Sequence, residues 1–171
     1  LKKAREQGFA TIAVTGSEKR PVSEVADCTI LLAIGDEFAG PKTKGYQGSI
    51  ATLVLLGLKL AVQQGILSED KKDEITDRMV KTADQIPDMA EKAWEWYKRN
   101  QEDLKKCRRI IVLGYEACMG AMLEGTLKVL EAVRYSVTGY ELEEFMHGIY
   151  HAIDADTYLI YLGCPGKHWE R

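Results

Sequence analysis

Three things are scarce in this sequence of 171 residues, and each scarcity removes a class of function. It has no excess of positive charge: 23 Lys and Arg stand against 26 Asp and Glu, giving a formal net charge of −3 and a pI near 5.7. A nucleic-acid binder is normally basic, so that class is set aside. Its four cysteines, Cys28, Cys107, Cys118 and Cys164, are scattered without CxxC spacing. That speaks for reduced thiols in a cytosolic protein, against a disulfide framework or a zinc site. Finally, the longest nearly apolar run, "SIATLVLLGLKLAV" (Ser49 to Val62), is interrupted by Lys59. It falls short of the roughly 20 residues a membrane span needs. No signal peptide opens the chain. The expectation is a cytoplasmic protein without a membrane or nucleic-acid partner, and with no metal or other cofactor.

What is present reads as globular: 46% of the residues are hydrophobic and 29% charged. The length suffices for one good core, or for two halves that share one. The chain starts with Leu1 inside an apparent helix, "LKKAREQG", and stops after a strand. It therefore reads as the middle of a longer protein.

Along the chain, Gly8 ends the first helix and "FATIAVTG" (Phe9 to Gly16) has the β-rich apolar character of a buried strand. Ser23 is expected to cap a short helix through Asp27, and "CTILLAIG" (Cys28 to Gly35) is a second strand. A long apolar helix from about Thr43 to Gln64 follows, expected to be buried on more than one side by an interdomain or homodimer interface. Helices alternating with apolar strands predict a parallel α/β sheet. From Ser68 to Lys106 the sequence is charged and helical in period, and a break near Pro87 makes two helices. Met89, Ala93, Trp96 and Tyr97 supply the expected buried stripe of the second. "RRIIVLGY" (Arg108 to Tyr115) begins another α/β stretch, with a helix from about Ala117 to Tyr135 and a strand "TYLIYLG" (Thr157 to Gly163).

The helix from Ala117 has two faces at about 100° per residue. Met119, Met122, Leu123, Thr126, Val129, Leu130 and Val133 form a core stripe. On the other face Glu124, Lys128 and Glu131 stand at i, i+4 and i+7, interleaved with Ala121, Gly125 and Ala132. A surface charge ladder has this spacing, but small neighbours leave space above the helix for a ligand or another backbone. Further on, "ELEEFMHGIYH" crowds Glu141, Glu143, Glu144, His147 and His151 together. A carboxylate beside His147 would raise its pKa and hold it ready as a proton donor. His168, near the end, carries no signal.

These residues form a recognisable set. "LGYEACMGAMLEGTLKVLEAVRYSVTGYELEEFMHG" resembles the second sugar isomerase (SIS) domain of double-SIS proteins, where a Gly-ended strand leads into an "ALEG-x-LK-x-x-E" helix and an "E-[LF]-x-x-HG" turn. "IGDEFAGPKTKGYQGSIATLVLLGLKLA" resembles the "E-x-x-x-x-x-TK" loop and the following helix of the first SIS domain, and "AREQGFATIAVTGSEKRPVSEVAD" the stretch just before it. The family includes the isomerase half of glutamine–fructose-6-phosphate aminotransferase, fructosamine-6-phosphate deglycases, and sugar-phosphate-binding regulators that catalyse nothing. The resemblance implies an α/β fold of parallel-sheet, flavodoxin-like three-layer SIS halves joined by a helical connector. On that division residues 1–66 are the end of a first SIS domain, 67–106 the connector and 107–171 the start of a second.

The resemblance also implies roles. Glu131 falls on the family's catalytic base and His147 on its ring-opening or acid residue, 16 positions further on. Lys128 matches a lysine one helical turn before the base. The loop lining the sugar falls on Gly40, Pro41, Lys42 and Thr43. The implied ligand is a phosphorylated sugar or Amadori product. The implied assembly is a homodimer, because the family's histidine can come from the partner subunit. The phosphate-binding Ser/Thr loop and the C-terminal tail of the family fall outside this sequence. Lys42 stands where the aminotransferases place a serine, and Ile149 where many members have proline. An extra cation suits a substrate whose amine carries a carboxylate. The expected activity is therefore a deglycase, with a glucosamine-6-phosphate-synthase-type isomerase and a non-catalytic sensor as alternatives.

Overall fold

The computed structural model describes residues 1–166, so His168 lies outside the described residues. The chain divides into two compact units, Leu1–Met89 and the part from Ala90 onward.

The first unit opens with α1 (Lys2–Glu6), β1 (Ile12–Thr15), α2 (Pro21–Val25) and β2 (Cys28–Leu31). The two strands pair in parallel, Ile12 opposite Cys28. A polar latch sets this register: Asp27 accepts from the backbone N–H and hydroxyl of Thr11 at 2.9 and 2.8 Å, and its other carboxylate oxygen pairs with Arg5 at 2.8 Å. Those bonds, the Thr11 hydroxyl first, hold the Asp27 carboxyl below its usual range. Gly8 carries the φ of +82° that turns the chain from α1 toward β1. Ser23 is not a cap. Pro21 starts α2 instead, because its missing N–H and preset φ cost nothing at the first helical position.

Next come α3 (Lys44–Gln63) and α4 (Glu69–Asp84), the latter capped by Ser68, whose side chain accepts from the Lys71 N–H. At 20 residues α3 is, by length and composition, long and apolar enough to cross a bilayer, which corrects the shorter reach of its apolar run. An α/β core helix passes the same test. The expected burial of α3 is also absent within this chain. Ile50, Leu53, Leu55 and Leu60 are exposed, and none of its residues is buried. Hydrophobic period says which face wants cover; it does not say that the same chain supplies it.

α5 (Ile86–Leu104) follows after Gln85, with Pro87 in its first turn, where it breaks no hydrogen bond. Its expected buried stripe is uncovered too: Met89, Trp96 and Tyr97 are exposed, and Trp94 stacks on Tyr97 with ring centroids 5.3 Å apart.

The second unit is built on a three-stranded parallel sheet, ordered β4 (Val137–Glu141), β3 (Arg109–Gly114), β5 (Thr157–Leu162). Three successive residues of the central strand, Ile111, Val112 and Leu113, are each exposed by 2% or less, so both faces of β3 are covered. α6 (Cys118–Lys128) lies on the face carrying Gly114 and Gly139, where Met122 fills the gap left by the two glycines. On the opposite face Ile111 and Leu113 pack with Phe145 of α7 (Leu142–Met146), joined by Tyr140, Ile149 and Leu159. The parallel strands and the α-over-sheet layers are those of an SIS fold.

One departure falls on α6. The α-helix stops at Lys128, and Val129–Val133 continue as a π-helical turn that Arg134 ends in the left-handed region, φ +55°. A constant 100° step therefore misplaces the end of the helix. Met122 is buried as expected, but Leu123, Leu130 and Val133 of the expected core stripe are exposed.

Candidate functional site

The geometry places the sequence-predicted residues in three groups. The first is the loop before α3. Glu37 gathers it: one carboxylate oxygen accepts from the Thr43 N–H at 2.7 Å, the Thr43 hydroxyl at 3.3 Å and the Lys44 N–H at 2.9 Å, and the other from the Gly45 N–H at 3.1 Å. These are the free donors of the first turn of α3, so Glu37 caps the helix from six residues upstream. The donated bonds, that of Thr43 foremost, hold its carboxyl at about 2. The loop in between exposes Gly40, Lys42 and Thr43, with Pro41 half-buried, and a Cβ at Gly40 would meet nothing within 4 Å. Lys42 does not reach outward. Its ammonium donates to the Glu37 carbonyl at 2.6 Å, and Lys44 donates to that of Asp36 at 2.6 Å.

The second group sits on α6 and its π turn. Lys128 bridges two carboxylates, Glu131 at 2.6 Å and Glu124 at 3.4 Å. The hydrogen bond to Glu131, then that to Glu124, raise the Lys128 pKa against the effect of burial, so the cation stays charged. Space lies above this row: a Cβ at Gly125 would meet no atom within 4 Å. Glu124 was not among the sequence-predicted site residues, although its Glu-x-x-x-Lys spacing already pointed to the shared cation.

The third group is the turn after β4. Glu141 is the N-cap of α7: one of its carboxylate oxygens accepts from the N–H groups of Glu143 and Glu144 at 2.7 and 3.0 Å. It therefore positions α7 and does not orient His147. His147 ends α7 and is exposed, and its side chain makes no hydrogen bond or ion pair among the described residues. Gly148, at φ +150°, turns the chain sharply behind it. Phe145, 2% exposed, anchors α7 and so fixes where His147 emerges.

Glu131 and His147 are not brought together within the chain. Glu131 follows α6, on the Gly139 face of the sheet, and precedes β4. His147 belongs to the opposite face, with Phe145, and follows β4. Between them in the chain run the five residues of β4, a strand roughly 16 Å long at about 3.3 Å per residue.

The comparisons with known proteins agree with this fold. No family model matches the chain. Among curated proteins, glutamine–fructose-6-phosphate aminotransferase [isomerizing] of Clostridium tetani is 29% identical over 178 aligned positions, covering 100% of this chain and 28% of that protein. The Corynebacterium glutamicum enzyme of the same name is 28% identical, covering 86% and 24%. Among solved structures, a candidate phosphosugar isomerase from Clostridium difficile 630 superposes with a TM-score of 0.90 at 34% identity, covering 95% of this chain and 46% of that one. A candidate sugar-binding protein from Salmonella typhimurium LT2 gives 0.85 at 32%, covering 99% and 51%. The chain thus spans about a quarter of the curated relatives and about half of the solved chains. Taken with the parallel α/β sheet, these likenesses support a sugar isomerase (SIS) domain family, close to the isomerase half of the glutamine–fructose-6-phosphate aminotransferases.

Proposed function

We propose that this chain forms part of a sugar-phosphate enzyme that moves a proton between C1 and C2 of an open-chain sugar phosphate in the cytoplasm. The observation that carries the reading is the Glu124–Lys128–Glu131 row beneath open space on α6. Residues 1–66 are the end of one SIS domain, 67–106 a helical connector and 107–171 the start of the second. The enzyme acts as a homodimer in which one copy supplies Glu131 and the other His147, since one copy holds the two on opposite faces of its sheet.

His147 assists ring opening. Glu131 then takes the C1 proton, acidified by the C2 carbonyl, and a general base in this position contributes about 10²–10⁴-fold. Lys128, charged and within reach of Glu131, stabilises the negative charge that develops on the enediol or enaminol oxygen. Gly40, Pro41, Lys42 and Thr43 line the sugar, with Glu37 holding their loop rigid. Returning the proton to C2 gives an aldose when C1 bears a hydroxyl. When C1 bears an amine the same step gives a C1 imine, which water hydrolyses to an aldose 6-phosphate and free amine: the deglycase reaction. Lys42 is the feature favouring an amino-acid amine, and its bond to the Glu37 carbonyl must open before it meets a substrate carboxylate.

The test uses the full-length protein with fructose 6-phosphate and with 6-phosphofructosyl-lysine or -asparagine. Release of glucose 6-phosphate and amine supports the deglycase; interconversion of the hexose phosphates supports the isomerase. Binding without turnover leaves a sensor and ends the catalytic reading. Mixing inactive Glu131→Gln and His147→Ala proteins is expected to restore up to about a quarter of wild-type activity through mixed dimers. No recovery after subunit exchange refutes the shared site.

A further inference from the structure

The loop between β2 and α3 carries the most exposed large apolar side chain among the described residues, and the sugar-phosphate reading gives it no role. Phe38 is 94% exposed; Ile66, the next, is 74%. One exposed apolar residue needs no explanation by itself, but a braced one does. The Glu37 carboxylate takes its bonds from the first turn of α3. Lys42 and Lys44 donate to the Glu37 and Asp36 carbonyls, both at 2.6 Å. Phe38 follows directly on these two held residues, so its ring stands out from a fixed base. The same bonds set it beside a cation. The carbonyl that Lys42 holds belongs to the peptide joining Glu37 to Phe38. A planar trans peptide puts that oxygen about 2.8 Å from the next Cα, so the Lys42 ammonium lies within about 5.5 Å of the Phe38 Cα. Lys42 makes no ion pair among the described residues, because the neighbouring Glu37 carboxylate is spent on backbone N–H groups.

We propose that Phe38 and Lys42 together read the amine half of the substrate, and that the chain takes 6-phosphofructosyl conjugates in which the sugar sits on the α-amine of an apolar amino acid. This rests on the sugar-phosphate reading and adds the substrate class to it. In such a conjugate the carboxylate carbon and the side-chain Cβ are bonded to one Cα and lie about 2.5 Å apart. A cation and an aromatic ring on neighbouring parts of one loop therefore meet both groups at once. Lys42 turns from the Glu37 carbonyl to the carboxylate and makes a charge-assisted bond. The apolar side chain covers the Phe38 ring, which removes apolar surface of both from water. A glycine conjugate offers the carboxylate alone. An aspartate conjugate sets a second charge against the ring, which has no partner for it. A conjugate through the lysine ε-amine carries its carboxylate at the far end of a butyl chain, away from the Gly40–Thr43 stretch that lines the sugar in this reading.

The experiment is calorimetric titration of the full-length protein, carrying Glu131→Gln so that the conjugates are not consumed. The ligands are fructose 6-phosphate and the 6-phosphofructosyl conjugates of leucine, glycine, aspartate and, through its ε-amine, lysine. The leucine conjugate is expected to bind about 10-fold or more tighter than the other three, the scale of discrimination an apolar contact gives. Adding Phe38→Ala should bring the leucine-to-glycine ratio to near unity with Tm unchanged, since an exposed ring has little packing to lose. Phe38→Leu should keep most of the preference, and Lys42→Met should weaken the leucine and glycine conjugates by a similar factor. Equal affinities for the leucine and glycine conjugates overturn the proposal, and so does a preference that survives Phe38→Ala. Fructose 6-phosphate bound with no preference among the conjugates overturns the proposal alone. If fructose 6-phosphate and every conjugate fail to bind, the sugar-phosphate reading falls and takes the proposal with it.

Discussion

The depth at which α6 seats on its sheet is set by two glycines, and a methyl group at either one measures it. A Cβ at Gly139 would sit 2.4 Å from the Met122 sulfur and 2.5 Å from the Thr126 hydroxyl oxygen. At Gly114 it would sit 2.8 Å from the Met122 Cβ and 2.9 Å from the Cys118 carbonyl oxygen. Ordinary contact lies near 3.5–4.0 Å, so each methyl must displace its neighbour by about 1 Å. Overpacking of this kind costs about 1–3 kcal/mol, partly offset by about 0.5–1 kcal/mol from removing a flexible glycine. The two sites differ in what must yield. Met122 can rotate its sulfur away, whereas the Cys118 carbonyl is backbone. Gly139→Ala is therefore expected to cost about 1–2 kcal/mol and Gly114→Ala about 2–3 kcal/mol, a Tm loss of roughly 2–4 °C per kcal/mol in a chain of this size. The decisive measurement is a double-mutant cycle by urea denaturation with Met122→Ala, itself worth about 2–5 kcal/mol at a site 1% exposed. Alanine removes the sulfur and keeps the Cβ. In that background the cost of Gly139→Ala should fall by about 1 kcal/mol while that of Gly114→Ala stays unchanged. Equal costs in both backgrounds for Gly139→Ala would refute the account of how α6 is seated.

Three other outcomes are expected. Phe145→Ala should destabilise the second unit by about 3–5 kcal/mol and, on the proposed role of His147, lower turnover through the loss of the anchor that places it; denaturation and kinetics on one preparation check both. Glu37 has a folded pKa of about 2 against an ordinary 4.5, so the folded state holds its proton less tightly. Its contribution is complete above pH 4.5 and is lost as pH falls toward 2; amide exchange at Thr43, Lys44 and Gly45 should accelerate across that window, and Glu37→Gln should abolish the pH dependence. Arg134→Val should lower Tm, because a β-branched residue at φ +55° adds about 1–2 kcal/mol of strain, whereas Arg134→Gly should not.

The sequence by itself determined four of the five strands, the long helices and the resemblance to the family; β4 was not foreseen. Apolar runs near Ile12, Cys28, Ile110 and Thr157 became strands, Pro87 fell where α4 gives way to α5, and the Glu124, Lys128, Glu131 spacing became one ion-paired row. All of these are local, because helix and strand periods and neighbouring charges act within a few residues. Tertiary structure decided the rest. No period announces that the helix loosens into a π turn after Lys128, since that depends on how the end of α6 meets the sheet. Glu141 looked like a partner for His147 and is the cap of α7, a choice made when Phe145 pulled that helix onto Ile111 and Leu113. The spacing of 16 positions from Glu131 to His147 did not by itself say whether the two meet in one copy. They fall on opposite faces because the helix before β4 packs on the Gly139 side of the sheet and α7, after it, packs on the Ile111 and Leu113 side. The apolar faces of α3 and α5 are legible as faces needing cover, but their residues remain exposed in this chain, for hydrophobicity records that a surface avoids water and carries no information on what shields it.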